Sequence, residues 1–411
     1  MDRGPDKQLI ALVVALLAIG LATLYSAGQT EVPTAAAHAW ERQLVFLGLG
    51  IVCAAVTFRV TIPILEWATP FLYALAIGLL VVTLIVGTGA GTAAGTKSWL
   101  AIGGIRLGQP SEFAKLATIL MLGRHLAGRR DAPRTLIELL PACLIVGVPF
   151  ALVGLQPDLG SAIVFLGILF TMLFWVGTNG WLLILLASPM ISLMMAFSTV
   201  SWGIWIVALT VLVLWVRPYV LEGLSVWLAN VGMGVMALSL WNRLAPYQQN
   251  RLLSFLNPEI DPRATGWHII QSKVAIGSGG LFGKGYLAGT QKRLAFIPEQ
   301  ATDFIYTVLG EEWGFVGVLV TLALFALLIL TLIRVARRAQ DPFACVVVFG
   351  FAGMLLTHII ENIGMTVGLM PITGIPLPFF SYGGSFLLAC CLGLGVVLRV
   401  AREGRRLGYG E

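Results

Sequence analysis

The sequence predicts an all-α, polytopic helical membrane protein with about twelve transmembrane helices and a large outer loop. Three observations predict it. Of 411 residues, 58% are hydrophobic and only 11% charged, where soluble domains carry roughly 25% charged residues. Apolar runs near the ~20 residues that a bilayer core demands recur along the whole chain. The arginines gather in a few short loops, as the positive-inside rule requires of cytoplasmic connections.

The predicted spans, in order, are Leu9–Ala27, Leu44–Phe58, Ile64–Val86, Phe113–Ala127, Leu136–Leu155, Leu159–Gly177, Trp181–Phe197, Trp202–Val216, Val220–Trp241, Phe304–Ile333, Phe343–Leu369 and Phe380–Leu398. Leu9–Ala27 follows a short polar start and reads as an anchor, because no small-residue cleavage site competes with it. The only long polar segment is 242–302, and the chain reads as one domain over 1–411.

Arg124, Arg129, Arg130 and Arg134 crowd one loop; Arg334, Arg337 and Arg338 crowd a second; Arg399, Arg402, Arg405 and Arg406 fill the tail. With twelve spans all three lie on the side of the N-terminus, so both termini are expected in the cytoplasm. The opposite side receives 28–43, 87–112, 156–158, 242–302 and 371–379, which hold nearly every unusual polar residue. Chemistry is therefore expected to face outward. ATP is scarce there, so the energy source must arrive with the substrate.

Asp303 lies in a polar stretch just before the long apolar run from Phe304. A carboxylate at the mouth of a membrane helix is costly to desolvate and usually has a task or a partner. Glu112 and Lys115 stand at i and i+3 near a helix start, with Ser111 expected as N-cap. They either pair with each other or serve a site, since an ammonium about a turn into an apolar helix is expensive. Asp158, before Leu159-Gly160-Ser161, is a helix N-cap, a functional carboxylate, or both. Arg42, at the outer start of the second span, is a snorkelling arginine or an anion ligand.

Other chemistries lack their residues. Gly277 to Gly285 has Ser278 and Gly285 where a Walker A loop needs Gly and Ser or Thr; it reads as a flexible turn that brings backbone close to a headgroup. The four histidines are scattered, without metal spacing. The five cysteines lie in apolar runs and read as small hydrophobes. No nucleic-acid-binding feature is present.

Several segments together resemble the SEDS family of RodA and FtsW proteins: Arg42-Gln43-Leu44, Gln109 to Leu116, Gln156 to Gly160, Tyr247-Gln248 with Arg251, Phe255 to Pro258, Gln271-Ser272-Lys273, Gly289-Thr290-Gln291, Pro298-Glu299, Thr302 to Ile305, and Pro371 to Ser385. The Gly-Thr-Gln loop and the short termini lean toward the RodA branch. One departure is the span count. The family has ten helices, so residues 202–241 are expected to be an extra hairpin inserted before the outer loop at 242–302. A second is Lys97-Ser98-Trp99, where the family carries an arginine-rich stretch.

The resemblance implies a peptidoglycan glycosyltransferase that polymerises lipid II at the outer face of the bacterial cytoplasmic membrane during elongation, with undecaprenyl diphosphate leaving. It implies Asp303 as base and Lys115 and Arg42 as diphosphate ligands, with Lys273 a weaker one. Glu112 would hold Lys115, and Asp158 would orient a cation or a divalent metal such as magnesium or manganese; no metal ligand set is assigned. The implied partners are a class B penicillin-binding protein and other elongation-complex proteins. Two rivals remain: a lipid II flippase, and a non-catalytic activator of a penicillin-binding protein.

Overall fold

The apolar runs fold as helices whose ends lie within a few residues of the hydropathy limits. The computed structural model describes residues 6–31, 34, 36–89, 97–102, 105–216, 219–244, 249–250, 253, 255, 265–294, 296–297 and 299–407. Tyr247, Gln248, Arg251, Leu256, Asn257, Pro258 and Pro298 of the expected motifs lie outside those residues.

The helices are α1 (Lys7–Gly28), α2 (Ala39–Arg59), α3 (Ile62–Val86), α4 (Pro110–Ala127), α5 (Leu136–Leu155), α6 (Leu159–Trp175), α7 (Gly180–Met195), α8 (Thr199–Val216), α9 (Val220–Arg243), α10 (Thr265–Ser278), α11 (Thr290–Arg293), α12 (Ile305–Arg338), α13 (Pro342–Thr366) and α14 (Gly384–Leu407). A small antiparallel hairpin, β1 (Leu100–Ile102) with β2 (Ile105–Gly108), precedes α4. Among the described residues nine helices are long and apolar enough to cross a membrane, and α6 and α7 are shorter apolar helices. With α4, an 18-residue helix carrying Glu112 and Lys115, they account for the expected twelve spans.

Helix α13 sits at the centre, buried against α12, α6 and α4. Small residues allow the close approach that membrane helices need where lipid supplies no hydrophobic drive. A Cβ at Gly350 would press on Met172 and Ile119, and one at Gly123 on Val347. α14 packs along α2, where Cys391 lies against Gly50. All five cysteines are free thiols, as expected.

The two ends of the bundle differ. At one end Arg334 of α12 donates to Gln8 of α1 at 2.6 Å, and Arg129 pairs with Glu138 at 3.0 Å. Asp158, Asp303 and the start of α4 with Glu112 collect at the other, where Gln109 bonds Asp158 and Asn362 bonds the Asp303 carbonyl.

Helices α8 and α9 form a hairpin carried by α7. Its glue is polar. Asn230 Nδ2 donates to Ser188 Oγ (2.8 Å), Trp205 Nε1 donates to Asn230 Oδ1 (3.1 Å), and Ser192 Oγ donates to the Asn230 carbonyl (2.7 Å). Interhelical hydrogen bonds of this kind are worth about 0.6 kcal/mol each. Asn230→Leu, which removes two of them, is expected to cost about 1 kcal/mol and lower the thermal midpoint in detergent. An unchanged midpoint would show that lipid-facing packing alone holds the hairpin.

Two expectations need correcting. Ser111 is not the cap of α4: Gln109 occupies that position without a side-chain cap bond, and Pro110 sits at the first helical position, where its missing N–H costs nothing. The last span does not begin at Phe380. Residues 371–383 run as an irregular segment and α14 starts at Gly384.

Candidate active site

Lys115 is fully buried. Its ammonium lies 2.9 Å from Glu112 Oε1, one helical turn away, and 3.0 Å from His358 Nε2 on α13. His358 Nδ1 is 3.1 Å from the Pro376 carbonyl, which can only accept. Nδ1 therefore carries the proton and Nε2 accepts from Lys115. The His358 ring stacks on Phe386 at 4.2 Å, and the Lys115 ammonium sits 5.6 Å from that ring's centroid. A lone ammonium at this depth would be costly; a carboxylate, an imidazole and an aromatic face together offset that cost.

Asp158 caps α6, accepting from Ser161 N at 3.1 Å. Its other oxygen accepts from Gln109 Nε2 at 2.8 Å. The cap reading and a place at the site are thus compatible, because Gln109 begins the helix that carries Glu112 and Lys115. Asp158 is also near enough to Glu112 and Glu361 to act on their charge.

Asp303 precedes α12. Its backbone carbonyl accepts from Asn362 Nδ2 at 2.9 Å, and the same amide donates to the Ile375 carbonyl at 2.7 Å. Asn362 thus ties the start of α12 to the 371–383 segment over the C-terminal half of α13. One residue earlier, Glu361 is buried; Thr373 is close enough to act on its carboxylate, but no hydrogen bond of good geometry reaches either oxygen among the described residues. Lys115 and Asp158 are among the charges that act on it.

The structure therefore brings Glu112, Lys115 and Asp158 together and sets the Asp303 backbone beside them. It keeps Arg42 and Lys273 apart. Arg42 is exposed on the first turn of α2; the next residue, Gln43, bonds the Ser381 carbonyl at 2.9 Å and accepts from Gly383 N at 3.2 Å. Arg42 thus stands at the rim, by the far end of the 371–383 segment. Lys273 is exposed on α10 beside Gly368, where an added Cβ would meet its Nζ at 2.6 Å. Gly368 lies beyond the C-terminal end of α13, which closes at Thr366.

Among the described residues no three His, Cys, Asp or Glu side chains gather closely enough to hold a metal ion.

Across α4 from the charged cluster lies an apolar cavity of about 290 Å³, lined by Leu72, Leu75, Phe113, Leu116, Leu120 and Val396 among others. One helix turns Glu112 and Lys115 toward the polar site and Phe113 and Leu116 toward this groove.

Sequence reasoning missed His358, Glu361 and Asn362, which lie inside a span predicted for its hydropathy. The available signal was their chemistry, because a polar or ionisable residue inside a membrane helix is a site candidate by default.

Fold and site define a polytopic helical membrane protein with a charged, partly loop-roofed site at one end and an apolar groove beside it. The family profile described as cell cycle protein, for FtsW, RodA and SpoVE, matches residues 7–219 and 200–406. The chain belongs to that family. It is 34% identical to the peptidoglycan glycosyltransferase RodA of Treponema pallidum, over 96% of this chain and 97% of the relative. It is 36% identical to the peptidoglycan glycosyltransferase MrdB of Escherichia coli, over 96% and 93%. Among solved structures it resembles a chain of a peptidoglycan synthase complex that coordinates polymerization and crosslinking, with TM-score 0.70, 32% identity and 99% of each chain covered. It also resembles the crystal structure of Thermus thermophilus rod shape determining protein RodA, with TM-score 0.62, 30% identity and 97% of each chain covered.

Proposed function

We propose that this chain is a peptidoglycan glycosyltransferase that polymerises lipid II on the outer face of the cytoplasmic membrane. The observation that carries the reading is the convergence of Glu112, Lys115, Asp158 and the Asp303 backbone on one end of α13, opposite the arginine-rich end. By the positive-inside rule the arginine-rich end is cytoplasmic, as are both termini, and the site faces out. No ATP is needed there, because the diphosphate on the lipid is itself the leaving group.

In this reading the acceptor sugar hydroxyl attacks the anomeric carbon of the donor, and Asp303 takes its proton. The sugar–diphosphate bond breaks and the diphosphate leaves with both electrons. Cations stabilise that developing charge. Arg42 and Lys273 are exposed enough to reach a diphosphate. Lys115 is occupied by Glu112 and His358, so it sets the potential at the floor and meets substrate only if that pairing loosens. The groove lined by Phe113 and Leu116 supplies an apolar path for a polyprenyl tail beside the site. A class B penicillin-binding protein is the proposed partner, supported by the likeness to a chain from a peptidoglycan synthase complex.

The test is polymerisation of lipid II by purified protein in detergent. A flippase makes no glycan there, because detergent has no two sides. A pure activator makes none without a polymerase-competent partner. The clustering of charge at one end, rather than at the midplane, speaks against a transport site.

Glu361 offers an independent check. A buried carboxyl that Thr373 and Lys115 satisfy only in part lowers stability, and a site is where such a cost is tolerated. Glu361→Leu is expected to be more stable by on the order of 1 kcal/mol, the cost of a buried polar group satisfied only in part, while polymerising more slowly. A variant that melts no higher, or polymerises as well as the parent, would remove Glu361 from the site.

A further inference from the structure

Helix α12 is broken at Gly314, where φ is 62°. In an unbroken helix the amides of Phe315 and Val316 would donate to the carbonyls of Glu311 and Glu312. Instead, Phe315 N donates to the Gly280 carbonyl at 2.9 Å and Val316 N to the Leu281 carbonyl at 3.1 Å. The two carbonyls released accept from Lys284 N and Gly285 N, both at 3.0 Å. The glycine-rich loop after α10 is thus spliced into the break, and it satisfies both strands of the opened helix. Backbone freed at membrane depth is tolerated only when protein satisfies it in this way. The loop expected to be a flexible turn is held against a helix. A Cβ at Gly283 would collide with the Glu312 carbonyl, and one at Gly314 with Gly283 N.

Side chains lock the splice. The Glu311 carboxylate accepts from Lys284 Nζ (2.8 Å), Thr290 N (2.8 Å) and Gln291 N (3.1 Å). Buried Lys292 pairs with buried Glu312, and Ser26 of α1 bonds Glu312 at 2.7 Å. Lys292 Nζ also donates to the Ser26 carbonyl at 3.0 Å, and Gln300 Nε2 donates to the Ala27 carbonyl at 2.8 Å. The outer piece of α12, Ile305 to Trp313, therefore hangs from this loop and α1 rather than from the rest of its own helix. Asp303 lies two residues before that piece.

A buried ion pair is weak grounds for stability, since an apolar pair of similar volume often does as well or better. Two such carboxylates at one helix break point to a requirement for position instead. We propose that Lys292 and Glu312 are positioning residues: they hold the spliced loop in the break, and so fix the outer piece of α12 and the placement of Asp303. The catalytic consequence rests on the glycosyltransferase reading above; the mechanical coupling does not.

The experiment compares wild type, Lys292→Met, Glu312→Gln and the charge-swapped double variant Lys292→Glu/Glu312→Lys, all full length in detergent. Hydrogen exchange tests the coupling without reference to activity. In the single variants, amides of 279–293 and 305–313 are expected to exchange at least about tenfold faster, with 315–338 unchanged. Lipid II polymerisation tests the consequence: kcat is expected to fall by about tenfold or more, with KM within about twofold, because misplacement of a reacting group by an ångström costs up to 100-fold in rate. The double variant is expected to regain part of the lost kcat. Unchanged exchange at 305–313 overturns the proposal. So does faster exchange throughout the protein with kcat and KM both impaired, which marks a merely structural pair. A wild type that makes no polymer refutes the functional reading and leaves the exchange result to decide the coupling. Should Lys292→Met not fold, Glu312→Gln, which keeps the side chain's shape, gives the same readouts.

Discussion

Asp303→Ala is expected to lose lipid II polymerisation by about 100- to 10,000-fold, the range a positioned general base contributes, while the protein stays folded. The loss should be in chemistry and not in architecture. The Asp303 carbonyl is held by Asn362 at 2.9 Å, and alanine keeps that tie. The start of α12 should therefore keep its place, with elution profile and thermal midpoint close to those of the parent. Asp303→Asn keeps the shape without the basicity and should be nearly as inactive. Robust activity in either variant would refute the assignment. A large drop in thermal midpoint would instead make Asp303 a structural residue.

Lys115→Ala is expected to be the most damaging single change in the bundle. It leaves Glu112 buried without its cation and His358 Nε2 without its donor. Removing one partner of a buried pair costs about 3–5 kcal/mol, mostly through the uncompensated charge left behind. Stability and polymerisation should fall together. The double variant Glu112→Gln/Lys115→Met removes both charges and should recover much of the thermal midpoint while staying inactive. If it recovers neither, packing against Phe386 outweighs the charge. If Lys115→Ala keeps both its midpoint and its activity, the buried cluster has no role in either.

The spans were legible because about 20 apolar residues in a row leave few alternatives to a membrane helix. Leu136–Leu155 was placed to the residue. Glu112 with Lys115 was legible because the two are one turn apart. His358 was not, since its partner Lys115 lies 243 positions away, and four scattered histidines carry no spacing signal. Glu361 was masked by its neighbours: one carboxyl in a run as apolar as Phe343–Leu369 scarcely lowers its hydropathy. The break in α12 was hidden for a similar reason, because Gly314 stands in a sequence that otherwise reads as one long helix. Only the meeting of 280–285 with 311–316 reveals it. Arg42 and Lys273 were singled out by motif, and the fold places both at exposed positions away from the buried cluster. Their roles at the diphosphate thus rest on reach rather than on contact.

The most direct test of the outward-facing glycosyltransferase reading is to give the purified wild-type chain lipid II in detergent, without ATP, beside a transpeptidase-dead penicillin-binding partner. Glycan strands are expected, and they should vanish when Asp303→Ala replaces the wild type. Folded wild-type protein that binds its partner yet leaves lipid II unpolymerised would contradict it.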